Sequence, residues 1–551
     1  MTDGEEPSSG PPPIDDDPLA LDVAFDEGDG SASILRGAAR TAVLLTAAGL
    51  VGQVFTLVRE LFVAAKVGVS QDLDALLIAA VAPLILSSLL ASGTTAAIVP
   101  SYLALKHERG RPAADQLLGV TLTWTVLIGI AMTIVVVAGA GVAVAIAGPG
   151  LDPAAHAAAI GYVPMLAPLL VFAALGGLLA STFQIHERMR SIALAWVAGP
   201  LASVIVTIAL WNNLGLTALA LAMTAQQAFI VLALIAMGLR YRILPPVTLR
   251  ADRVASTDFV RHALPLTISA SVLQFNLLTD RAVASLIAPG AVSALRYAEG
   301  VLRIPMNAIV PAWAAAIYPA LVRASFVTRT RSFAEAAAGA LRYVTAIFVP
   351  LAMATAAMAP LIIEVAYVRG AFDERAAALT SAALVGFAPL LFLTMVSTVL
   401  TGAHNARKRG VFLMAMGFLD AFMNAVLNVG FGMWIGVAGV ALSTSVTMGV
   451  IQIIKAWRLG TIEETFPLGG LLVVSARASV ASLVVAAPIA LVSWNLPHGM
   501  GFAGAIALLI VLSSVGMIGY LIVGKLIGLD EPWIVARTML RSPLRLRPGG
   551  R

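Results

Sequence analysis

Cysteine is absent from the 551 residues of this chain, and charged residues are scarce. The absence of cysteine excludes a disulfide framework, a thiol nucleophile and a cysteine-ligated metal site. Charged residues make up 12% of the chain, whereas soluble proteins carry about 25%. So few charges cannot cover the surface of several soluble domains. Together with 59% hydrophobic residues and a mean hydropathy of +0.93, this scarcity predicts that lipid surrounds most of the chain.

Sequence motifs of catalysis are missing as well. The six histidines are scattered, and the chain contains no HExxH, GxGxxG or P-loop pattern. We therefore expect a protein that is not an enzyme, that has no organic cofactor and that does not bind nucleic acid.

Charge is distributed unevenly along the chain. Residues 1–30 contain ten acidic side chains and five prolines but no lysine or arginine. Such a segment cannot bury a core, so residues 1–34 are predicted to be a disordered acidic tail rather than a signal peptide. At the other end, residues 537–551 contain five arginines and no acid, which predicts a basic tail over residues 531–551.

Between these tails lie long apolar segments, each close to the ~20 residues that a helix needs to cross a bilayer. We predict fourteen spans in an all-α, polytopic membrane protein. They are centred on residues 42–67, 76–104, 117–147, 159–184, 191–211, 215–239, 262–288, 291–321, 340–367, 377–402, 411–430, 436–456, 475–495 and 502–528.

Basic residues in the loops between these spans predict the orientation in the membrane. With the N-terminus in the cytoplasm, twenty-five basic residues fall in cytoplasmic segments, and the outer loops contain only Arg369 and Arg375. This asymmetry is the positive-inside pattern. Both termini are therefore predicted to be cytoplasmic.

The first six spans resemble the next six at an offset of roughly 220 residues. Ala167-Pro168 returns as Ala388-Pro389, Gly215 returns as Gly436, and a histidine beside basic residues follows in both copies, at His186 and His404. Because six is an even number, both copies have the same orientation, as in transporters with parallel repeats. We predict an N-lobe at 35–240, a C-lobe at 241–460 and two further spans at 461–530.

Charged residues within the spans are costly and therefore informative, at about 2.5–3.5 kcal/mol each near the bilayer centre. They are Arg59 and Glu60 in span 1, Asp280 and Arg281 in span 7, and Arg296, Glu299 and Arg303 on one face of span 8. One interpretation is internal ion pairing, or snorkelling near the span ends. The other is a cavity that binds an anion such as phosphate, in which four arginines against three acids leave one surplus positive charge and Lys66 adds a second.

A second polar stripe lies in span 11, where Asp420, Asn424 and Asn428 are four residues apart. These side chains present oxygen atoms on one helix face, which favours a site for Na⁺ or a proton. On span 12, Ser443, Thr444 and Thr447 would complete that site. Interhelical hydrogen bonding is the alternative interpretation. His186 and His404, beside basic clusters, are predicted to be solvated.

One segment resembles a known family. Residues 290–305, GAVSALRYAEGVLRIP, resemble the span 8 signature of the MurJ/MviN lipid II flippases, and Val58-Arg59-Glu60 and Asp72-Leu73-Asp74-Ala75 resemble its span 1 and span 2 motifs. The resemblance covers roughly residues 35–530. It implies the fold of the multidrug/oligosaccharidyl-lipid/polysaccharide (MOP) exporter superfamily, with spans 13 and 14 lining a groove for a polyprenyl tail.

Several family residues are replaced in this chain. Gly52-Gln53 stands where the family has Ser-Arg, Ser87-Ser88 replaces a double arginine, and Gly300 replaces an arginine after the span 8 acid. Residue by residue, the resemblance carries over Arg59, Asp74 and the acidic Glu299. The cation site of some relatives resembles Asp420 and Asn424, with their order exchanged.

The resemblance implies a transporter that flips an undecaprenyl-diphosphate-linked cell-wall precursor across the cytoplasmic (inner) membrane by alternating access. The substrate-binding residues expected are Arg59, Glu60, Asp74, Arg281, Arg296, Glu299 and Arg303, and those expected for the coupling cation are Asp420, Asn424 and Asn428. The alternatives are a polysaccharide-type flippase, a cation-coupled drug exporter and a non-transporting scaffold. We expect a monomer whose partners are the lipid-linked glycan, membrane lipid and, through the tails, wall-synthesis proteins.

The predicted orientation can be tested directly because the chain contains no cysteine that would give background labelling. A cysteine replacing Ala113 should react with a membrane-impermeant maleimide only after the cell is opened. A cysteine replacing Ala371 should react in spheroplasts. The reverse pattern of labelling would contradict the positive-inside assignment.

Overall fold

All regular elements in the described part of the chain are α-helices. The structure is a computed structural model that describes residues 29–250, 252–326, 330–463, 466–496, 501–534 and 537. Most of the predicted acidic tail and most of the predicted basic tail lie outside these residues. The first helix begins at Asp29, inside the segment 1–34 for which disorder was predicted.

The helices that contain predicted spans 1–6 form the first set. They are α1 (Asp29–Val67), α2 (Gln71–Ala79), α3 (Val81–Arg109), α4 (Arg111–Ala138), α5 (Ala140–Ala147), α6 (Pro153–Leu166), α7 (Pro168–Ile185), α8 (Met189–Leu214) and α9 (Leu216–Tyr241).

The second set contains predicted spans 7–12. It comprises α10 (Arg253–Ile287), α11 (Ala291–Phe326), α12 (Thr330–Ala357), α13 (Ala359–Tyr367), α14 (Glu374–Phe387), α15 (Leu390–Ala406), α16 (Gly410–Ile435) and α17 (Val437–Ile462). Spans 13 and 14 are α18 (Leu468–Asn495) and α19 (Phe502–Leu526).

This arrangement confirms the predicted fold class. Among the described residues, twelve segments are helical, long and apolar enough to cross a membrane. Predicted spans 7 and 8 coincide with α10 and α11, which are 35 and 36 residues long and interrupted by charged residues. At about 1.5 Å per residue, both helices exceed the ~30 Å thickness of the hydrocarbon core. From Leu45 onward the chain forms one compact unit, and the predicted division into lobes stays a prediction.

Two spans are broken at the same place in the repeat. Span 4 breaks between α6 and α7 at Ala167-Pro168, and span 10 breaks between α14 and α15 at Ala388-Pro389. Proline causes these breaks because it lacks the N–H for the helical ladder and clashes with the preceding turn. In span 4, the Thr224 hydroxyl donates to the Met165 carbonyl at 2.7 Å, a contact that ties α9 to the break.

Backbone geometry at the helix ends sets the repeat offset at 221 residues. Gly215 and Gly436 both have positive φ (53° and 74°), which glycine adopts without strain. Glu187 and Lys408, also 221 positions apart, have φ values of 56° and 55°. His186 and His404, which follow the two Ala-Pro stretches, are 218 positions apart and therefore lie three positions out of register with this offset.

The first and second sets of helices meet where α3 packs along α10. A Cβ atom at Gly93 on α3 would lie 2.6 Å from the Ala263 carbonyl oxygen on α10, so glycine permits this close approach. Toward the end of the helices predicted to be cytoplasmic, Ala97, Phe259 and Ala263 join one buried apolar cluster. The two sets of helices are therefore closed against each other at that end.

Replacing Gly93 with leucine should push α3 away from α10, because the new side chain would overlap the α10 backbone. Cysteines placed at Ala97 and Ala263 should be joined by a short thiol cross-linker in the parent chain and several-fold less in Gly93→Leu. Gly161→Leu is the control, since a Cβ there has nothing within 4 Å. Equal cross-linking in both variants would contradict the proposed closure at Gly93.

Candidate functional site

A cavity of about 530 Å³ lies between the helices of the two sets. Its walls come from α1, α2, α3, α7, α9, α10 and α11. Four arginines and four glutamines are among its lining residues: Arg59, Arg281, Arg296, Arg303, Gln53, Gln226, Gln227 and Gln274. The cavity is therefore rich in hydrogen-bond donors, in a chain that has few charged residues elsewhere in its spans.

Arg59 is buried on α1, with 6% of its surface exposed. Its Nη1 donates to the Ser203 hydroxyl at 2.6 Å and to the Gln226 amide oxygen at 3.2 Å. The structure gives no ion pair for Arg59 within the described residues, and its Nε has no hydrogen-bond partner. Neutral groups hold the guanidinium in place, so its charge is available to a ligand in the cavity.

Glu60, the next residue on α1, binds the opposite wall of the cavity. Its carboxylate accepts from Arg296 on α11 at 2.7 Å. A Cβ at Gly300 would lie 2.9 Å from Glu60 Oε2, so any side chain at that position would displace the carboxylate. The glycine that replaces the family arginine thus makes room for an ion pair between α1 and α11.

Glu299 holds two more arginines on the α10–α11 side. Arg281 Nη2 donates to both carboxylate oxygens of Glu299, at 3.1 and 3.2 Å, and Arg281 Nη1 donates to the Val292 carbonyl at 3.1 Å. Arg303, one turn along α11, lies 3.7 Å from Glu299 and its side chain is 51% exposed. Arg281 is therefore fixed, whereas Arg303 is weakly held.

These contacts define the charge of the cavity. Four guanidinium groups line it, and two carboxylates, Glu60 and Glu299, bind them. The difference is a surplus of two positive charges rather than the predicted one, because Asp280 does not line the cavity. Lys66, predicted to add to this surplus, is exposed with its ammonium 5.9 Å from the Phe62 ring centroid and does not line the cavity.

Asp74 lies away from the cavity, buried at 2% exposure on α2. Its two carboxylate oxygens accept from the backbone N–H groups of Gly290 and Ser293, each at 2.7 Å. These groups belong to the first turn of α11, where a carboxylate satisfies free N–H donors and complements the helix dipole. Asp74 therefore fastens α2 to α11, and its predicted contact with substrate stays a prediction.

The span 11 stripe forms a buried polar cluster together with α10 and α17. Asn424 and Asn428 are fully buried. Asn428 Nδ2 donates to Asp280 Oδ1 and to Asn424 Oδ1, each at 2.6 Å, and Asn424 Nδ2 donates to the Thr444 hydroxyl at 3.2 Å. Ser443 donates to Asn428 Oδ1. We call Asp280, Asn424, Asn428, Ser443 and Thr444 the C-lobe polar cluster.

Asp420, the third member of the predicted stripe, is separated from this cluster. It is half-buried one turn before Asn424 and accepts from Asn276 Nδ2 on α10 at 2.9 Å. Thr447 on α17 is buried, and its hydroxyl has no hydrogen-bond partner among the described residues. The structure thus brings Asn424 and Asn428 to Asp280, while Asp420 extends the polar stripe toward the end of α16 predicted to be cytoplasmic.

One histidine prediction is wrong. His404 is fully buried rather than solvated, with its ring centroid 4.8 Å from that of Phe412 and its Nε2 3.1 Å from the Lys455 carbonyl oxygen. It lies on the face of α15 that α17 covers, whereas the basic residues beside it in the sequence had suggested an exposed position. His186 is partly buried.

The repeat relates the two polar centres to each other. Asp280 follows Arg59 by 221 positions, and Asn424 follows Ser203 by the same number. In the first set of helices, the guanidinium of Arg59 donates to Ser203. In the second set, the carboxylate of Asp280 accepts from Asn428, which also donates to Asn424. Equivalent places therefore carry opposite charges. The sequence had shown the charged residues but not their partners.

Comparison with known proteins agrees with this architecture. The family model described as "Lipid II flippase MurJ" matches residues 63–515. A probable lipid II flippase MurJ of Synechocystis is 27% identical over 79% of this chain and 84% of its own length. The alignment with a probable lipid II flippase MurJ of Vibrio cholerae, at 29% identity, is shorter and covers 33% of this chain and 35% of that protein.

The fold also matches a solved structure. It superposes on "Lipid II flippase MurJ, inward closed conformation" with a TM-score of 0.71 and 19% identity, over 91% of this chain and all of that one. The family match spans most of the sequence and confirms the resemblance seen in the span 8 signature. This chain belongs to the lipid II flippase MurJ family.

Proposed function

We propose that this chain flips an undecaprenyl-diphosphate-linked cell-wall precursor, similar to lipid II, from the inner to the outer leaflet of the cytoplasmic membrane. The surplus of two positive charges in the cavity is the observation that carries this proposal. A diphosphate diester carries two negative charges, and guanidinium groups bind phosphate oxygens with paired hydrogen bonds. The cavity charge therefore matches the headgroup linkage.

The four cavity arginines differ in how freely they can bind a phosphate. In the part of the chain that the structure describes, Arg59 has an unpartnered Nε and is held only by neutral side chains, so it can bind a phosphate without breaking an ion pair. Arg303 is half-exposed and only 3.7 Å from its carboxylate, so it can turn toward the ligand. Arg281 and Arg296 are paired with Glu299 and Glu60, which keep them oriented while the cavity is empty.

The membrane potential favours export of this headgroup. Moving two negative charges out of an inside-negative cell at ~100 mV releases about 4–5 kcal/mol. The α3–α10 packing and the Asp74 contact are both present in this structure, so alternating access requires each of them to open in turn.

Resetting the empty carrier is proposed to use a coupling cation in the C-lobe polar cluster. The predicted residues Asn424 and Asn428 supply amide oxygens there, Asp280 adds a carboxylate, and Asp420 lies one turn away. Carboxylate, amide and hydroxyl oxygens are the ligands that hard cations prefer. Na⁺ fits this set of ligands, and a proton on Asp420 is the alternative.

The remaining predictions concern the surroundings of the carrier. α18 packs on α12, and α19 contacts α13 and α18 while exposing most of its apolar surface. That surface is suited to the polyprenyl tail, as proposed for spans 13 and 14. We also propose that the chain is a monomer, that both termini lie in the cytoplasm and that the tails contact wall-synthesis proteins.

A second candidate is a flippase for another lipid-linked oligosaccharide. Ser87 and Ser88 line the cavity where the family has two arginines, and Gly300 replaces a third. These changes alter the surroundings of the glycan while leaving the diphosphate-binding arginines. A cation-coupled drug exporter would need an acid-lined cavity, which the surplus of arginine argues against.

Replacing Arg59 or Arg303 with glutamine should reduce flipping of a fluorescent lipid II analogue in proteoliposomes at least about tenfold, because each loses a charge-assisted contact with the diphosphate. Thermal unfolding should stay close to that of the parent for Arg303→Gln, whose side chain is half-exposed. Arg458→Gln, at an exposed arginine on α17, is the matched control. Undiminished transport in both cavity variants would rule out the proposed capture site.

A further inference from the structure

Outside its four arginines, the wall of the cavity is electrically neutral. In the part of the chain that the structure describes, neither a lysine nor an acid is among the lining residues. The other polar groups of the lining are the amides of glutamine and the hydroxyls of serine and threonine. Four of these side chains keep hydrogen-bonding capacity for a ligand, and we call them the neutral wall: Gln53, Gln227, Gln274 and Ser88.

The neutral wall has hydrogen-bonding groups that the protein does not use. Gln53 Oε1 accepts from Asn307 Nδ2 at 3.4 Å, and its own Nε2 donates to no group among the described residues. The side chains of Gln227, Gln274 and Ser88 also make no hydrogen bond within the described part of the chain. An amide or a hydroxyl both donates and accepts, so these groups match sugar hydroxyls and carboxamides without acting as counter-ions.

The neutral wall continues the cavity away from two of its arginines. On α1, Gln53 precedes Arg59 by six residues. On α10, Gln274 precedes Arg281 by seven residues. At 1.5 Å per residue, each glutamine lies about 10 Å along its helix from the arginine that follows it. The other two members of the neutral wall lie on α3 and α9, which contribute no arginine to the cavity. A headgroup larger than a diphosphate therefore extends from the arginines onto uncharged side chains.

The charge balance of the cavity leaves no counter-ion for a second anionic group. Its surplus of two positive charges equals the two negative charges of a diphosphate diester. A carboxylate elsewhere on the bound headgroup would lose its hydration and meet only neutral amides and hydroxyls. An unpaired charge inside a membrane-spanning bundle is costly, whereas a hydroxyl or carboxamide is satisfied by such partners.

We propose that this cavity selects lipid-linked precursors whose headgroup has no net negative charge beyond the diphosphate. This inference rests on the proposed function. The chemical class is a neutral glycan, or a glycopeptide whose peptide carboxylates are amidated. The arginines bind the diphosphate, and the neutral wall binds the hydroxyl and carboxamide groups of the headgroup. Selectivity arises because the wall lacks a counter-ion, which penalises the anionic competitor more than it strengthens binding of the neutral one.

The test compares two fluorescent lipids in proteoliposomes that contain the full-length chain. Both lipids have the same polyprenyl diphosphate, disaccharide and peptide, and they differ only in whether the peptide carboxylates are free or converted to carboxamides. The parent chain should flip the amidated lipid at least about tenfold faster. The membrane potential is held at zero with valinomycin and equal K⁺ on both sides, because a potential would itself favour export of the more anionic lipid.

A positive charge added to the neutral wall should reduce this preference. Gln227→Arg and Ser88→Arg each supply a counter-ion, so the ratio of the two flipping rates should fall at least about fivefold. Gln184→Arg adds the same charge at an exposed position on α7 outside the cavity, and it should leave the ratio unchanged. Both rates are measured in one preparation, so a loss of folded protein lowers them equally. The comparison of lipids on the parent chain needs no substitution.

Each outcome supports or overturns the inference. A preference for the amidated lipid that falls in both arginine variants supports it. Equal rates for the two lipids in the parent, or faster flipping of the free-carboxylate lipid, overturn it while leaving the proposed function intact. A preference that is unchanged in Gln227→Arg and Ser88→Arg also overturns it, because the neutral wall then does not set the selectivity. If the parent flips neither lipid, the proposed function fails and this inference fails with it.

Discussion

Burying guanidinium groups inside a bundle surrounded by lipid is the constraint on which the other features of this structure depend. Each buried arginine needs hydrogen-bond acceptors, yet a carboxylate for every arginine would leave no charge for a ligand. The chain meets both requirements: Glu60 and Glu299 fix Arg296 and Arg281, whereas neutral groups hold Arg59. The arginines around the cavity therefore stay in place without a ligand, and the cavity keeps a positive charge that attracts an anion.

Two acidic side chains also join the two sets of helices. The Glu60–Arg296 pair connects α1 with α11, and the Asp74 carboxylate caps the first turn of α11 from α2. Under the proposed function, a phosphate that binds Arg296 would compete with Glu60 for it, and ligand binding would then weaken a contact between the sets. Differential contacts of this kind are required for a ligand to shift a conformational equilibrium. Charge pairing would in this way link substrate capture to movement of the helices.

Much of this architecture could be predicted because hydrophobic length, loop charge and repetition are local properties of the sequence. The equivalence of Arg59 and Asp280 follows from the repeat offset alone. Their partners could not be predicted: Ser203 and Gln226 lie 144 and 167 positions from Arg59, and such residues meet only through helix packing. The burial of His404 was missed for the same reason, since a basic neighbourhood in sequence does not reveal which helix face is covered.

The central claim is that the arginine cavity carries a diphosphate-linked wall precursor. It is tested most directly by depleting the chain in its native cells and identifying the lipid-linked intermediate that accumulates in the inner leaflet by mass spectrometry. The account predicts accumulation of an undecaprenyl-diphosphate-linked muropeptide, reversed by the parent chain and not by Arg59→Gln. Accumulation of a different lipid-linked oligosaccharide, with the muropeptide precursor unchanged, would contradict it.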